Sequence, residues 1–213
     1  VTKSHSVSVA VNALETQEIT KGKAFVVLSE KYKDASNIPD WLLVPAAKAE
    51  IIGITAKAPG KENFFNECEN GIYAMGVNTP HIVFNYLDYL IWKDKRKQYD
   101  DFTFEFRNSV EHWYPQNPSE GTFEQWKDGV DQFGNLCIIQ RNVNSKFSNM
   151  SPEAKKSTFK NMISKGSLKL RIMSELTESS DNKSASLCWK NTIYRQHEEE
   201  MISYLKAGCG IEE

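Results

Sequence analysis

In the stretch FTFEFRNSVEH, residues 102–112, Phe102, Phe104 and Phe106 alternate with Thr103, Glu105 and Arg107. A period of two is what a half-buried strand requires, because successive side chains point to opposite faces. A strand is therefore predicted from Phe102 into Val110-Glu111-His112, halted before Pro115 and Pro118. Upstream the period changes. In TPHIVFNYLDYLIWKDKRKQYDD, Val83, Phe84, Leu87, Leu90 and Ile91 recur at helical spacing, Thr79 is placed to cap and Pro80 suits the first helical position. Downstream, Leu136 to Ile139 reads as a second strand. SPEAKKSTFKNMI then carries a helix signature, with Ser151 as cap, Pro152 at the first position and Glu153 in the first turn. Near the C-terminus Trp189, Ile193, His197, Met201 and Leu205 recur every four residues along a helix that Gly208 stops. His197 on that stripe reads as a packed core histidine.

Residues 1–60 carry weaker patterns. KAFVVLS and AEIIGITA look like short strands or buried segments, SNIPDWLLVPAAKA has the character of a helix start, and KAPGKEN that of a turn. Two regions are expected: a mostly helical or irregular one over 1–100, and a second domain over 101–213. The fold class is α+β and helix-rich.

Composition narrows the class without naming an activity. With 40% hydrophobic and 25% charged residues the chain is an ordinary globular protein. It has no apolar run near the roughly 20 residues a membrane span needs and no signal-peptide core at the N-terminus. Cys68, Cys137, Cys188 and Cys209 form no CxxC pair, which points to free thiols in a reducing cytoplasm. The first residue is Val rather than Met, as expected of a fragment or a processed product. A formal net charge of −2 hides an asymmetry: from Arg141 to Arg171 eight basic residues face one acid, Glu153. Such a block is either an electrostatic footprint for a polyanion or a solvated lysine-rich face.

The residues with chemistry in them lie around the predicted strands. Glu111-His112 is followed by Pro115-Gln116, then Gly134-Asn135-Leu136, then Asn144-Ser145-Lys146, with Asn135 and Asn144 nine residues apart. In order and spacing this resembles the His-Me finger (ββα-metal, HNH) nucleases, and in particular the C-terminal nuclease domain of GmrSD-type restriction enzymes. The resemblance spans roughly residues 80–213. It implies a ββα-metal core with flanking helices and metal-dependent hydrolysis of DNA phosphodiesters, in restriction or anti-phage defence. His112 would be the general base, whose ordinary pKa suits that task near neutral pH. Asn135 would orient it, and Glu111 and Asn144 would hold one Mg²⁺ or Mn²⁺ ion. Arg141, Lys146, Lys155, Lys156 and Lys160 would contact DNA phosphates. Trp113 and Tyr114 would either stack on the substrate or fill the core. Relatives carry an upstream ParB-like nucleotide-binding domain, so such a domain or subunit is an expected partner. The alternatives are a catalytically inactive DNA-binding module and a regulatory interaction domain in which His112 and Asn144 are structural.

Overall fold

The structure is a computed structural model that describes Glu30 and residues 67–68, 72–73, 75–77, 79, 81–119, 125–126, 129–177, 189 and 191–209. The segments KAFVVLS, SNIPDWLLVPAAKA, AEIIGITA and KAPGKEN lie outside the described residues, as does Pro80. Among the described residues two short antiparallel hairpins are embedded in helices, a helix-rich α+β arrangement. Strands β1 (Glu67–Cys68) and β2 (Ile72–Tyr73) form the first. Helix α1 (His81–Asp94) follows. Strands β3 (Ser109–His112) and β4 (Leu136–Ile139) form the second, with Ser109 opposite Ile139 and His112 opposite Leu136. A 3-10 turn, Phe133–Asn135, leads into β4. Then come α2 (Arg141–Phe147), α3 (Pro152–Thr158), α4 (Lys160–Ile163), α5 (Leu168–Leu176) and α6 (Asn191–Cys209).

Helix α1 is buried far more widely than its predicted stripe. Ile82, Tyr86, Tyr89 and Trp92 are buried together with Val83, Phe84, Leu87 and Ile91, while Leu90 is only partly so. The cause is that α6, α5 and β4 all pack against it, so polar sides were not available to it. Thr79 hydrogen-bonds locally, its hydroxyl accepting from the Gly76 amide at 3.0 Å. At α3 the predicted cap forms: Ser151 Oγ accepts the Ala154 N–H at 3.2 Å.

The predicted long strand is shorter than its pattern. Phe102 and Phe104 are buried and Thr103 and Glu105 exposed, but the alternation ends there, with Phe106 half-buried and Arg107 buried. Yet only Ser109–His112 pairs as a strand, while the Phe104 amide donates to Glu30 Oε2 at 2.7 Å. Alternation reports which face is wet, not whether a neighbour strand exists.

Successive residues of β4 divide between two cores. Leu136 and Ile138 join α1, Phe102, Phe104, Phe133, Leu168 and Met201. Cys137 and Ile139 join Trp113, Tyr114, Phe147, Leu170, Met173, Trp189 and Tyr194. The first core takes residues from both sides of residue 100, so the boundary expected there falls inside one packed unit. Gly134 has a plain packing reason. A Cβ there would lie 2.5 Å from the Tyr194 carbonyl oxygen and 2.8 Å from Glu198 Cβ, so α6 could not approach the turn.

Asp88, on α1, starts α5 from a distance. Its Oδ1 accepts the amides of Leu168 at 2.8 Å and Lys169 at 3.2 Å. Burial pushes its pKa up to about 6, against the pull of Arg107. A carboxyl whose folded pKa is raised stabilises the fold fully at low pH and loses that contribution as pH rises through the folded value. Stability should therefore fall between pH 4 and pH 7 by up to about 3 kcal/mol from this group. Asp88→Asn keeps the Oδ1 acceptor and should remove this part of the pH dependence, as read by urea unfolding at the two pH values.

Candidate active site

The second hairpin ends in His112, and four fixed points determine where that residue stands. Asn135 is the first. It is fully buried and spends its whole amide. Oδ1 accepts the Tyr114 amide at 2.8 Å and the Trp189 indole N–H at 3.0 Å; Nδ2 donates to the carbonyls of Tyr114 at 2.9 Å and Val130 at 2.8 Å. Two lone pairs and two protons are all an amide has. Asn135 therefore does not touch the His112 ring. It fixes the backbone two residues beyond His112 and brings residue 130 to the same place.

Closing the chain at Val130 delivers the second point, Asp131. Its Oδ1 lies 2.8 Å from His112 Nε2, and it also accepts from Gln116 Nε2 at 2.8 Å. The side chain of Asp131 is 55% exposed and that of His112 18%, so the pair lies at the surface. Burial lowers the His112 pKa and Asp131 offsets this, with Lys155 pushing the same way as burial. A ring kept neutral near pH 7 must place its proton on Nε2 to donate to the carboxylate, which leaves the lone pair on Nδ1. That is the arrangement of an oriented base. Nothing in the sequence singles out Asp131, which lies 19 residues from His112 in a loop and carries no spacing signal.

Lys155 is the third point and overturns two expectations. Its side chain is fully buried, and its ammonium donates to Glu111 Oε1 at 2.6 Å, the His112 carbonyl at 2.7 Å and the Trp113 carbonyl at 3.0 Å. It does not face solvent and cannot meet a phosphate. Glu111, expected as a metal ligand, is 4% exposed and already holds a cation. Burial raises the Glu111 pKa while Lys155 lowers it; burial lowers the Lys155 pKa while Glu111 raises it. The opposing shifts describe a mutually compensated pair.

Asn144, on α2, is the fourth point. Its Nδ2 donates to Ser109 Oγ at 2.7 Å and to the Val110 carbonyl at 3.2 Å, pinning α2 to β3. The amide nitrogen is thus structural. Among the described residues no group of three or more His, Cys, Asp or Glu side chains is placed to hold a metal ion. With Glu111 neutralised, the pair Glu111 and Asn144 does not fit a divalent ion held as expected.

The basic block divides. Lys155, Lys169 and Arg171 are buried. Lys169 donates to the Phe133 carbonyl at 2.9 Å, and burial takes its pKa down to about 7. Arg171 pairs with Asp101. Lys156 is half-buried and donates to the Thr177 carbonyl at 2.7 Å. Arg141, Lys146, Lys160 and Lys165 are exposed. Trp113 and Tyr114 are fully buried: the Trp113 indole donates to Thr177 Oγ1 at 2.8 Å, and Tyr114 stacks on Trp126 with ring centres 4.3 Å apart. They fill the core and are not presented to a substrate. His197 is likewise internal, with Nε2 3.1 Å from Lys169 Nζ.

Removing one member of a buried ion pair strands the other charge, at about 3–5 kcal/mol. Lys155→Met should cost that much in chemical unfolding, and adding Glu111→Gln to it should recover the part due to the stranded charge while the unmet His112 and Trp113 carbonyls keep the rest.

The family described as GmrSD restriction endonucleases, C-terminal domain, matches residues 61–204. No curated protein and no solved structure matches the chain. The matched residues take in both hairpins, His112, Asp131, Asn135, Asn144 and Lys155, and more than half of the sequence, so the chain belongs to the C-terminal domain family of the GmrSD restriction endonucleases.

Proposed function

We propose that this chain hydrolyses DNA phosphodiesters, with His112 as the general base that takes a proton from the attacking water. The observation that carries it is the His112–Asp131 contact at 2.8 Å on the exposed end of a strand–turn–strand–helix unit. A base must be held in one tautomer and still reach its substrate; the Asp131 contact supports the first and the partial exposure of His112 the second. The order β3, β4, α2 is that of a ββα finger, which supports assignment to the HNH class.

In the proposed step the water loses its proton to Nδ1 as its oxygen attacks phosphorus, the bond from phosphorus to the leaving sugar oxygen breaks, and that oxygen takes a proton from solvent. The imidazolium formed is stabilised by the Asp131 carboxylate on the other nitrogen. Asn135, Asn144 and Lys155 hold the hairpin end while this happens. Arg141 and Lys146 are exposed on α2, which Asn144 fastens to the strand that carries His112. They are the best placed of the expected cations to meet the phosphates flanking the scissile bond, and Lys160 extends the basic surface. Glu111, paired with the Lys155 ammonium, is a poor ligand for a divalent ion, and the response of cleavage to Mg²⁺ and Mn²⁺ decides whether an ion takes part. A role in defence, with an upstream ParB-like nucleotide-binding domain selecting the target, accords with a family of restriction enzymes.

Plasmid cleavage tests this directly, in Mg²⁺, in Mn²⁺ and in EDTA. His112→Ala should lower the rate by about 100- to 10,000-fold, the usual weight of a general base. Asp131→Asn should lower kcat by about tenfold or more, since it removes the carboxylate charge that stabilises the imidazolium and replaces an acceptor-only group by an amide that can also donate, and should leave KM for DNA nearly unchanged. Cleavage that survives His112→Ala would remove His112 from the mechanism. DNA binding without any cleavage would instead mark an inactive binding module.

A further inference from the structure

The Lys155 ammonium has three protons and three acceptors, at 2.6, 2.7 and 3.0 Å, and all three belong to consecutive residues: Glu111, His112 and Trp113. Its donor capacity is therefore complete. The alkyl chain ends between aromatic rings, with Nζ 5.9 Å from the Trp113 ring centre and 5.8 Å from that of Phe147. Helix α3 delivers it: Ser151 and Pro152 fix where the helix begins, and Lys155 follows one turn later with its amide bonded to the Ser151 carbonyl at 2.9 Å.

We propose that Lys155 is itself the cation served by Glu111, and that it is a positioning residue for His112. Neighbouring residues on a strand face opposite ways. Glu111 turns inward to Lys155 and His112 turns to Asp131, so carboxylate and imidazole do not converge on one ion. A magnesium–oxygen bond is about 2.1 Å, so an ion on Glu111 Oε1 would sit within about 5 Å of the ammonium and be repelled by it. What the ammonium does hold is the carbonyls of the two peptides that flank Trp113. Together with the grip of Asn135 on both backbone atoms of Tyr114, it fixes the main chain on which the imidazole is mounted. The positioning half of the proposal rests on His112 being the base; the cation half does not.

The test uses the full chain and four proteins: wild type, Glu111→Gln, Lys155→Met and the double variant, whose neutral pair guards against simple unfolding. Mn²⁺ binding is read from the loss of the free-ion EPR signal, and cleavage from kcat and KM for plasmid. Equal Mn²⁺ binding by wild type and Glu111→Gln, including none by either, supports the cation assignment. A loss of about 10–100-fold in Mn²⁺ affinity in Glu111→Gln is what removal of a ligand gives and would overturn it. Lys155→Met and the double variant should both lose about 10–100-fold in kcat, as a misplaced base does, with KM little changed. A folded double variant with wild-type kcat would overturn the positioning role. Should wild type not cleave at all, the nuclease proposal and the positioning half fall together, while the Mn²⁺ comparison still decides what Glu111 holds.

Discussion

Three segments of the candidate site meet at one saturated amide. Asn135 has no exposed surface and no spare hydrogen-bonding position, and its four partners come from three segments that are distant in sequence: Tyr114, Val130 and Trp189. The contact between His112 and Asp131 exists because Asn135 closes the loop at Val130. The base of α6 is registered against the same point through Trp189. A buried amide left with any group unpaired would cost free energy, about 1–3 kcal/mol for each group stranded. The position therefore enforces all four contacts at once. Aspartate would lack the donors and leucine would lack everything, which gives the residue type its reason.

Charge inside the protein is likewise met by specific partners. Three of the eight cations between residues 141 and 171 are buried, and each has acceptors assigned: Glu111 and two carbonyls for Lys155, the Phe133 carbonyl for Lys169, Asp101 for Arg171. A lysine in a helix looks the same in sequence whether its ammonium meets solvent or a carbonyl cluster. The basic block was visible, but its division into an outer set and an inner set was not, because that depends on which helix face the hairpin covers.

Much of the fold was legible for the opposite reason, that local chemistry and tertiary structure agree. Leu136–Ile139 is a strand, Ser151 caps α3, and the Trp189 to Leu205 stripe faces the core, each as its pattern predicts. Failures came where a pattern reports burial but pairing or partners decide. Phe102–Phe106 alternates without being a paired strand, and α1 is buried nearly all round because three elements cover it. At the candidate site, the resemblance singled out His112, Asn135 and Asn144, and the structure gathers all three around the second hairpin and α2. Asp131 was missed because its approach depends on loop closure, and Lys155 was given the wrong environment.

The hairpin end shows why a buried ion pair is worth keeping although an apolar pair of similar volume is often no less stable. Apolar side chains would fill the space beneath β3 but would leave the carbonyls of His112 and Trp113 without their donor, and the strand end free to shift against the 3-10 turn. An ammonium alone would satisfy the carbonyls and leave a buried charge. Glu111 removes that charge while lying one residue before His112 on the opposite face of the strand. The arrangement thus spends the inward-facing carboxylate on rigidity and reserves an exposed one, Asp131, for the ring. Two carboxylates of the same chemistry take different roles because one is neutralised out of contact with water and the other stays half open to it. The residue that carries the imidazole thus has two separate anchors, Asp131 on the ring and Lys155 on the main chain.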